Sequence, residues 1–156
     1  MKLNGLVCPE AIVAKLKSTD RDGVITELVD SLVDAGQLEK VNRDQAVKAV
    51  IDRENEASTG IGKGVAVPHV KSYLVNSPVG AFGLSSEGVD FLSLDKQLVY
   101  SVFLVIGPEG SPEEHLSAME LIFKNLQKDD FRSFLRQSKS TEDVVTLLEE
   151  ADRDEI

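Results

Sequence analysis

The run LVYSVFLVI, from Leu98 to Ile106, is apolar at nearly every position instead of at alternate ones. A strand of that kind has no face to show to water, so it must lie centrally in a sheet that is covered on both sides. The rest of the chain has to supply that cover. β-like composition recurs at Val65–Val67, where Pro68, lacking an N–H, ends a strand, and in VGAFGL from Val79. Between that stretch and the apolar run, EGVDFLSLDKQ reads as a short strand with turns. No helical pattern separates these strands, which favours hairpin connections and a mixed sheet over a doubly wound parallel one.

The cover is legible as one-faced helices. Asp20 and Asp22 precede Val24, Ile25, Leu28, Val29, Leu32 and Val33, and Gly36 stands where that helix would stop. Asn42 and Gln45 suit a capping box for a second helix, with Ala46, Val47, Val50 and Ile51 on its buried side and Arg53 and Glu54 at its end. Ser111, Pro112 and Glu114 suit a third, burying Leu116, Met119, Ile122, Phe123 and Leu126. Phe131, Phe134 and Leu135 mark a short helix after Asp129, and Ser140 with Asp143 caps a last one through Val144, Val145, Leu147 and Leu148. The expected fold class is α/β, a single-domain sandwich of a mixed β-sheet flanked by helices. It spans residues 1–156, and 151–156 form a frayed tail.

Composition narrows the function. With 27 acidic against 17 basic residues the net charge is −10, and no Lys/Arg block is interleaved with aromatics, so nucleic acid is a poor partner. The opening MKLNGLVCPEAIVAKLK lacks the apolar core and cleavage site of a secretory signal, and no stretch is long enough to span a bilayer. These features set the expectation of a cytoplasmic chain without direct membrane insertion. The single cysteine, Cys8, has no base or cation beside it and reads as a half-buried filler.

The chemistry concentrates in ASTGIGKGVAVPHV, Ala57 to Val70. Lys63 is followed by Gly64 where an ATP-binding loop needs Ser or Thr, and an apolar strand follows where such a loop needs a helix. The dinucleotide fingerprint fails for the same reason. The glycines can still turn backbone N–H groups toward an anion, so Ser58, Thr59, Gly60 and Gly62 form a candidate anion-binding loop beside the plainer reading of a tight turn. His69, steadied by Pro68, is a candidate nucleophile toward phosphorus. His115 falls in the first turn of the third helix, where the dipole disfavours imidazolium, and could donate to a phosphate. Arg53 could add fork-like donation, although beside Glu54 it also suits a surface ion pair. Two histidines without clustered carboxylates or cysteines make no metal site.

RENEASTGIGKGVAVPHV, with the later GPEGSPEEHL, resembles the enzyme IIA domain of the bacterial phosphoenolpyruvate-dependent phosphotransferase system (PTS), of the fructose/mannitol/nitrogen-regulatory type. The likeness runs from the first helix to the STEDVVTLL close and implies the PTS EIIA type-2 fold. It implies that His69 is the catalytic residue, accepting phosphate from phospho-HPr, and that Arg53 and His115 stabilise the phosphoryl group. No cofactor or metal is implied for the transfer. Many members carry Gly after the Pro-His pair where this chain has Val70, which bears on the local backbone and partner fit. The implied acceptor is a IIB domain or a regulatory target protein, and the lack of a fused IIB or IIC segment tilts the expectation toward regulation. The alternative is a non-phosphorylated protein-binding module that retains the fold.

Overall fold

The computed structural model describes residues 1–156. In chain order the elements are α1 (Leu3–Leu6), β1 (Val7–Val13), α2 (Arg21–Asp34), α3 (Arg43–Glu56), β2 (Gly60–Gly62), β3 (Val65–Ala66), β4 (His69–Ser72), β5 (Val79–Val89), β6 (Val99–Pro108), α4 (Pro112–Leu126), α5 (Asp129–Gln137) and α6 (Thr141–Asp152). The strands make one mixed sheet in the order β1-β5-β6-β3-β2, and β4 also pairs with β6. Antiparallel β5 lies on one side of β6, and parallel β3 and β4 lie along the other.

The apolar run is the centre of this sheet. Because side chains alternate across a strand, Phe103 and Val105 enter one core with α1, α4, α5 and α6, while Val102, Leu104 and Ile106 enter the other with α2 and α3. Phe82 of β5 stands opposite Phe103, with ring centroids 4.6 Å apart. The chain is therefore an α/β sandwich of a mixed sheet flanked by helices. No helix is long and apolar enough to cross a membrane.

Several local readings need correction. Asn42 makes no capping bond, because it closes a 3-10 turn in helical conformation (φ −95°, ψ −1°), and Gln45 bonds the Tyr73 hydroxyl instead. Ser111 also makes no side-chain cap; its backbone carbonyl takes the N–H groups of Glu114 and His115. The cap expected at Ser140 does form, onto Asp143 N, and Asp20 caps α2 at Gly23 N. Leu116 and Phe134 face water at 58% and 46% exposure; His115 and Ala118 take the buried places on α4. The short strand expected within EGVDFLSLDKQ is the far end of β5, beyond a register shift between Leu84 and Val89. Strand β1 had no clear signal, since Pro9 interrupts its pattern; as an edge strand it tolerates the missing N–H. Cys8 sits half-buried there, and burial raises its thiol pKa.

Within the tail, residues 151–156, the first two residues belong to α6. Ala151 is buried, and the Asp152 carboxylate accepts from the N–H groups of Leu3 (2.7 Å) and Asn4 (3.0 Å), which α1 cannot satisfy internally. Lys128 Nζ holds the Ile156 carbonyl. A chain ending at Glu150 should therefore lose about 1–3 kcal/mol, seen as a lower urea midpoint at unchanged slope. An unchanged midpoint would mean that the tail contributes nothing.

Candidate functional site

His69 owes its position to Pro68. Strand β3 ends at Ala66, Pro68 offers β6 only its carbonyl, to Val105 N, and the chain rejoins β6 at His69, paired with Val105. His69 thus opens a strand instead of following one. Partners in a parallel ladder share a face, so its side chain lies on the side of Val105, toward α4. Val70, one residue on, turns to the opposite core and packs there beside Ile106, so the departure from glycine is accommodated by burial.

The His69 ring is half-buried, and its Nδ1 lies 2.7 Å from the Val67 carbonyl oxygen. A carbonyl can only accept, so Nδ1 carries the hydrogen and Nε2 of the neutral ring keeps a free lone pair. His115, fourth residue of α4 and only 8% exposed, lies 5.8 Å away between ring centroids, tilted by 35°. Its Nδ1 is sealed from water without a partner, against Gly107 of β6, where any Cβ would overlap the ring. A sealed nitrogen is tolerated better as a lone pair than as an orphaned N–H. The hydrogen therefore belongs on Nε2, and the ring presents a donor to the surface.

Arg53 lies in the last turn of α3 and donates from Nη1 to the Ala57 carbonyl at 3.0 Å. Arg53, His69, Val70, Lys71, Glu109 and His115 line one cleft of about 380 Å³. The structure thus brings together three of the residues singled out by sequence. Burial lowers the His69 pKa, opposed by the Val67 bond, and the Arg53 cation lowers it further. Burial also lowers that of His115, as do the nearby His69 and Lys71. Both shifts favour the neutral ring. The cleft then holds a nucleophilic nitrogen, an N–H donor and a guanidinium, a set suited to receiving a phosphoryl group.

In the loop expected to bind an anion, the donors of Ser58, Thr59 and Gly60 are engaged within the protein. Ser58 Oγ donates to the Phe91 carbonyl and accepts from Gly60 N, and Thr59 gives both its N–H and its hydroxyl to Glu54, each at 2.7 Å. Gly60 and Gly62 form an edge strand against β3. Glu54, read from sequence as the partner of a surface ion pair, is instead 2% exposed and ties α3 to β2. Gly107, Lys71 and Glu109 were also missed. Lys71 could have been found, since two residues along a strand returns to the same face; Gly107 and Glu109 lie in the GPEGSPEEHL run, but their place beside the ring depends on where α4 packs.

Residues 6–151 match the family model described as "Phosphoenolpyruvate-dependent sugar phosphotransferase system, EIIA 2". The chain is 36% identical over 154 residues to the "PTS system fructose-specific EIIABC component" of Bacillus subtilis, covering 98% of itself but only 24% of that protein. It is 35% identical to the "PTS system fructose-specific EIIA component" of Haloferax volcanii, covering 83% of each chain. With the "Nitrogen regulatory protein" of Bradyrhizobium diazoefficiens it shares 32% identity over 95% of each. Among solved structures, IIA-Ntr of Neisseria meningitidis superposes with a TM-score of 0.83 at 25% identity, over 94% of this chain and 98% of that one.

Gly107→Ala should cost about 1–3 kcal/mol through overpacking and displace the His115 ring, read as a lower melting temperature and a changed His115 imidazole spectrum. Gly110→Ala, where a Cβ meets nothing within 4 Å, is the matched control and should do neither. In an NMR titration both imidazoles should protonate below the ordinary value of 6.5. The unfolded chain then takes up protons first as pH falls through that value, so the two rings should make folding less favourable below it and leave it unchanged above.

Proposed function

The chain belongs to the EIIA 2 family of the phosphoenolpyruvate-dependent sugar phosphotransferase system, and on that premise we propose that it is a phosphocarrier with His69 as the phosphoryl acceptor. The observation that carries this reading is the hydrogen bond from His69 Nδ1 to Val67 O, which leaves Nε2 as the free nucleophile facing the cleft. The donor is a phosphohistidine protein, phospho-HPr. Its N–P bond breaks as the Nε2–P bond forms, and the donor imidazole takes back the electron pair. The Nδ1 hydrogen of His69 stays in place throughout, so the positive charge arriving on the ring is shared with the Val67 carbonyl.

Arg53 and His115 then stabilise the transferred group. The guanidinium offers planar donors to the phosphoryl oxygens, and His115 Nε2–H adds one neutral donor. Keeping His115 neutral is useful here, since a second imidazolium would hold the phosphoryl group too firmly for onward transfer. Glu109 at the cleft mouth works in the same direction, by repulsion. The group passes next to a IIB domain or serves as a signal to a regulatory target. Both uses have precedent among the relatives: fructose-specific components on one side, nitrogen regulatory proteins on the other. One solved neighbour, at 23% identity, is IIAMtl of Escherichia coli in complex with phosphorylated IIBMtl.

Incubation with phosphoenolpyruvate, enzyme I and HPr should add one acid-labile, alkali-stable phosphate by intact mass, and His69→Ala should abolish it. No gain in the presence of phosphorylated cognate HPr would reject the carrier reading in favour of a binding module. Arg53→Gln and His115→Ala should keep the fold and slow acceptance by about 10- to 100-fold each. Because the His69 pKa is lowered, the acceptance rate of this chain should stay level as pH falls from neutral to 6.5 and decline only below.

A further inference from the structure

The β2–β3 hairpin carries a second concentration of cations, at the end of the sheet away from His69. Gly62, Lys63 and Gly64 all have positive φ (94°, 58° and 79°), and Lys63 N–H is held by Asp95 at 2.9 Å. This is a costly conformation for a lysine, and it fixes the side chain at the hairpin tip, beside α5. From α5, Arg136 places its Cζ over the Tyr100 ring, 3.6 Å from the centroid, a cation–π contact that holds the guanidinium beside the hairpin. Lys63, Arg132, Ser133, Arg136 and Gln137, with Asp129, line a cleft of about 510 Å³ that has no apolar side chain in its wall.

Charge balance singles this cleft out. Arg132 pairs with Asp129 and also holds the Leu126 carbonyl, which leaves Asp129 neutralised. Asp95 commits its two oxygens to the backbone N–H groups of Lys63 and Gln97. Neither Lys63 nor Arg136 has a carboxylate within ion-pair distance, although the chain carries ten more acidic than basic residues. Two unpaired cations on facing elements repel one another, and an anion between them would relieve this. A second cleft shares Lys63 and Arg136 and continues past Gly64, Leu98 and Tyr100, giving less polar surface for the uncharged body of a ligand.

We propose that the cleft between the β2–β3 hairpin and α5 is a ligand site for a small organic phosphate. The phosphate lies between Lys63 and Arg136, and its organic part rests along Leu98 and Tyr100. Ser133 and Gln137 add neutral donors. The site is separate from the His69 cleft: His69 pairs with Val105, five residues along β6 from Tyr100, roughly 15 Å at strand spacing, and the two clefts share no lining residue. It makes the domain responsive to a metabolite as well as to its phosphorylation state.

The test is a titration of the isotope-labelled full chain, followed by amide NMR, with inorganic phosphate and with glucose 6-phosphate at constant ionic strength. Saturable shifts are expected at residues 62–64, 98–100 and 132–137, with tighter binding of the sugar phosphate. Lys63→Ser and Arg136→Gln should each weaken it by about tenfold or more, and Arg136→Lys by less. His69→Ala should bind as the wild type does, and the hairpin and α5 variants should still accept phosphate at His69. Shifts confined to Arg53, His69 and His115, equal shifts with chloride, or undiminished binding by Lys63→Ser and Arg136→Gln would overturn the proposal. So would a poly-glutamate peptide that shifts these amides when neither phosphate does, which would point to an acidic protein segment instead.

Discussion

Strand β6 can exist only where both of its faces are dry, and the architecture follows from that requirement. Alternate residues of β6 feed two separate cores, so neither helical layer is dispensable. The same strand takes β5 on one side and, on the other, both β3 and β4, which reach it in succession around Pro68. The cleft is built at the point where this buried strand emerges. Gly107, near the end of β6, is where the sheet is thin enough for a side chain from α4 to lie directly on the backbone.

The electrostatics of the cleft follow from that same burial. Desolvation is the largest influence on each histidine, and it acts in the direction that keeps both rings uncharged. In the proposed phosphocarrier role, neutrality suits His69 as the nucleophile and His115 as a donor, and the hydrogen bond to Val67 leaves Nε2 of His69 free. The conspicuous Ser-Thr-Gly-Ile-Gly stretch does mechanical work in the fold. Glu54 grips Thr59 and Ser58 grips Phe91, so the stretch anchors β2 to α3 and to the end of β5. A glycine- and hydroxyl-rich segment is equally good at cradling an anion and at making a tight edge strand, and composition cannot separate the two uses.

Helix positions are legible in the sequence where a long apolar stripe exists, as in α2, and less so where a single residue decides the face. Leu116 and Phe134 are apolar yet exposed, while His115 is polar yet buried: on α4 the place against Gly107 is taken by the His115 ring, and Leu116, one residue on, faces water. The start of the tail is tied down by a partner that its own composition does not reveal. ADRDEI has the composition of a fraying end, but Asp152 meets the orphan N–H groups of α1, some 150 residues earlier in the chain.

Local chemistry therefore determined what each segment is: a strand buried on both faces, one-faced helices to cover it, a proline that interrupts a strand, and a histidine held next to it. These are properties of neighbouring residues, and periodicity and backbone restriction suffice to read them. Only the tertiary structure decided which segments meet. The pairing of His69 with His115, the gap at Gly107 that admits the second ring, the burial of Glu54 and the facing of Lys63 by Arg136 all join residues from different elements. Such contacts are set by sheet register and helix packing, which depend on the whole core at once and leave no trace in any short stretch of sequence.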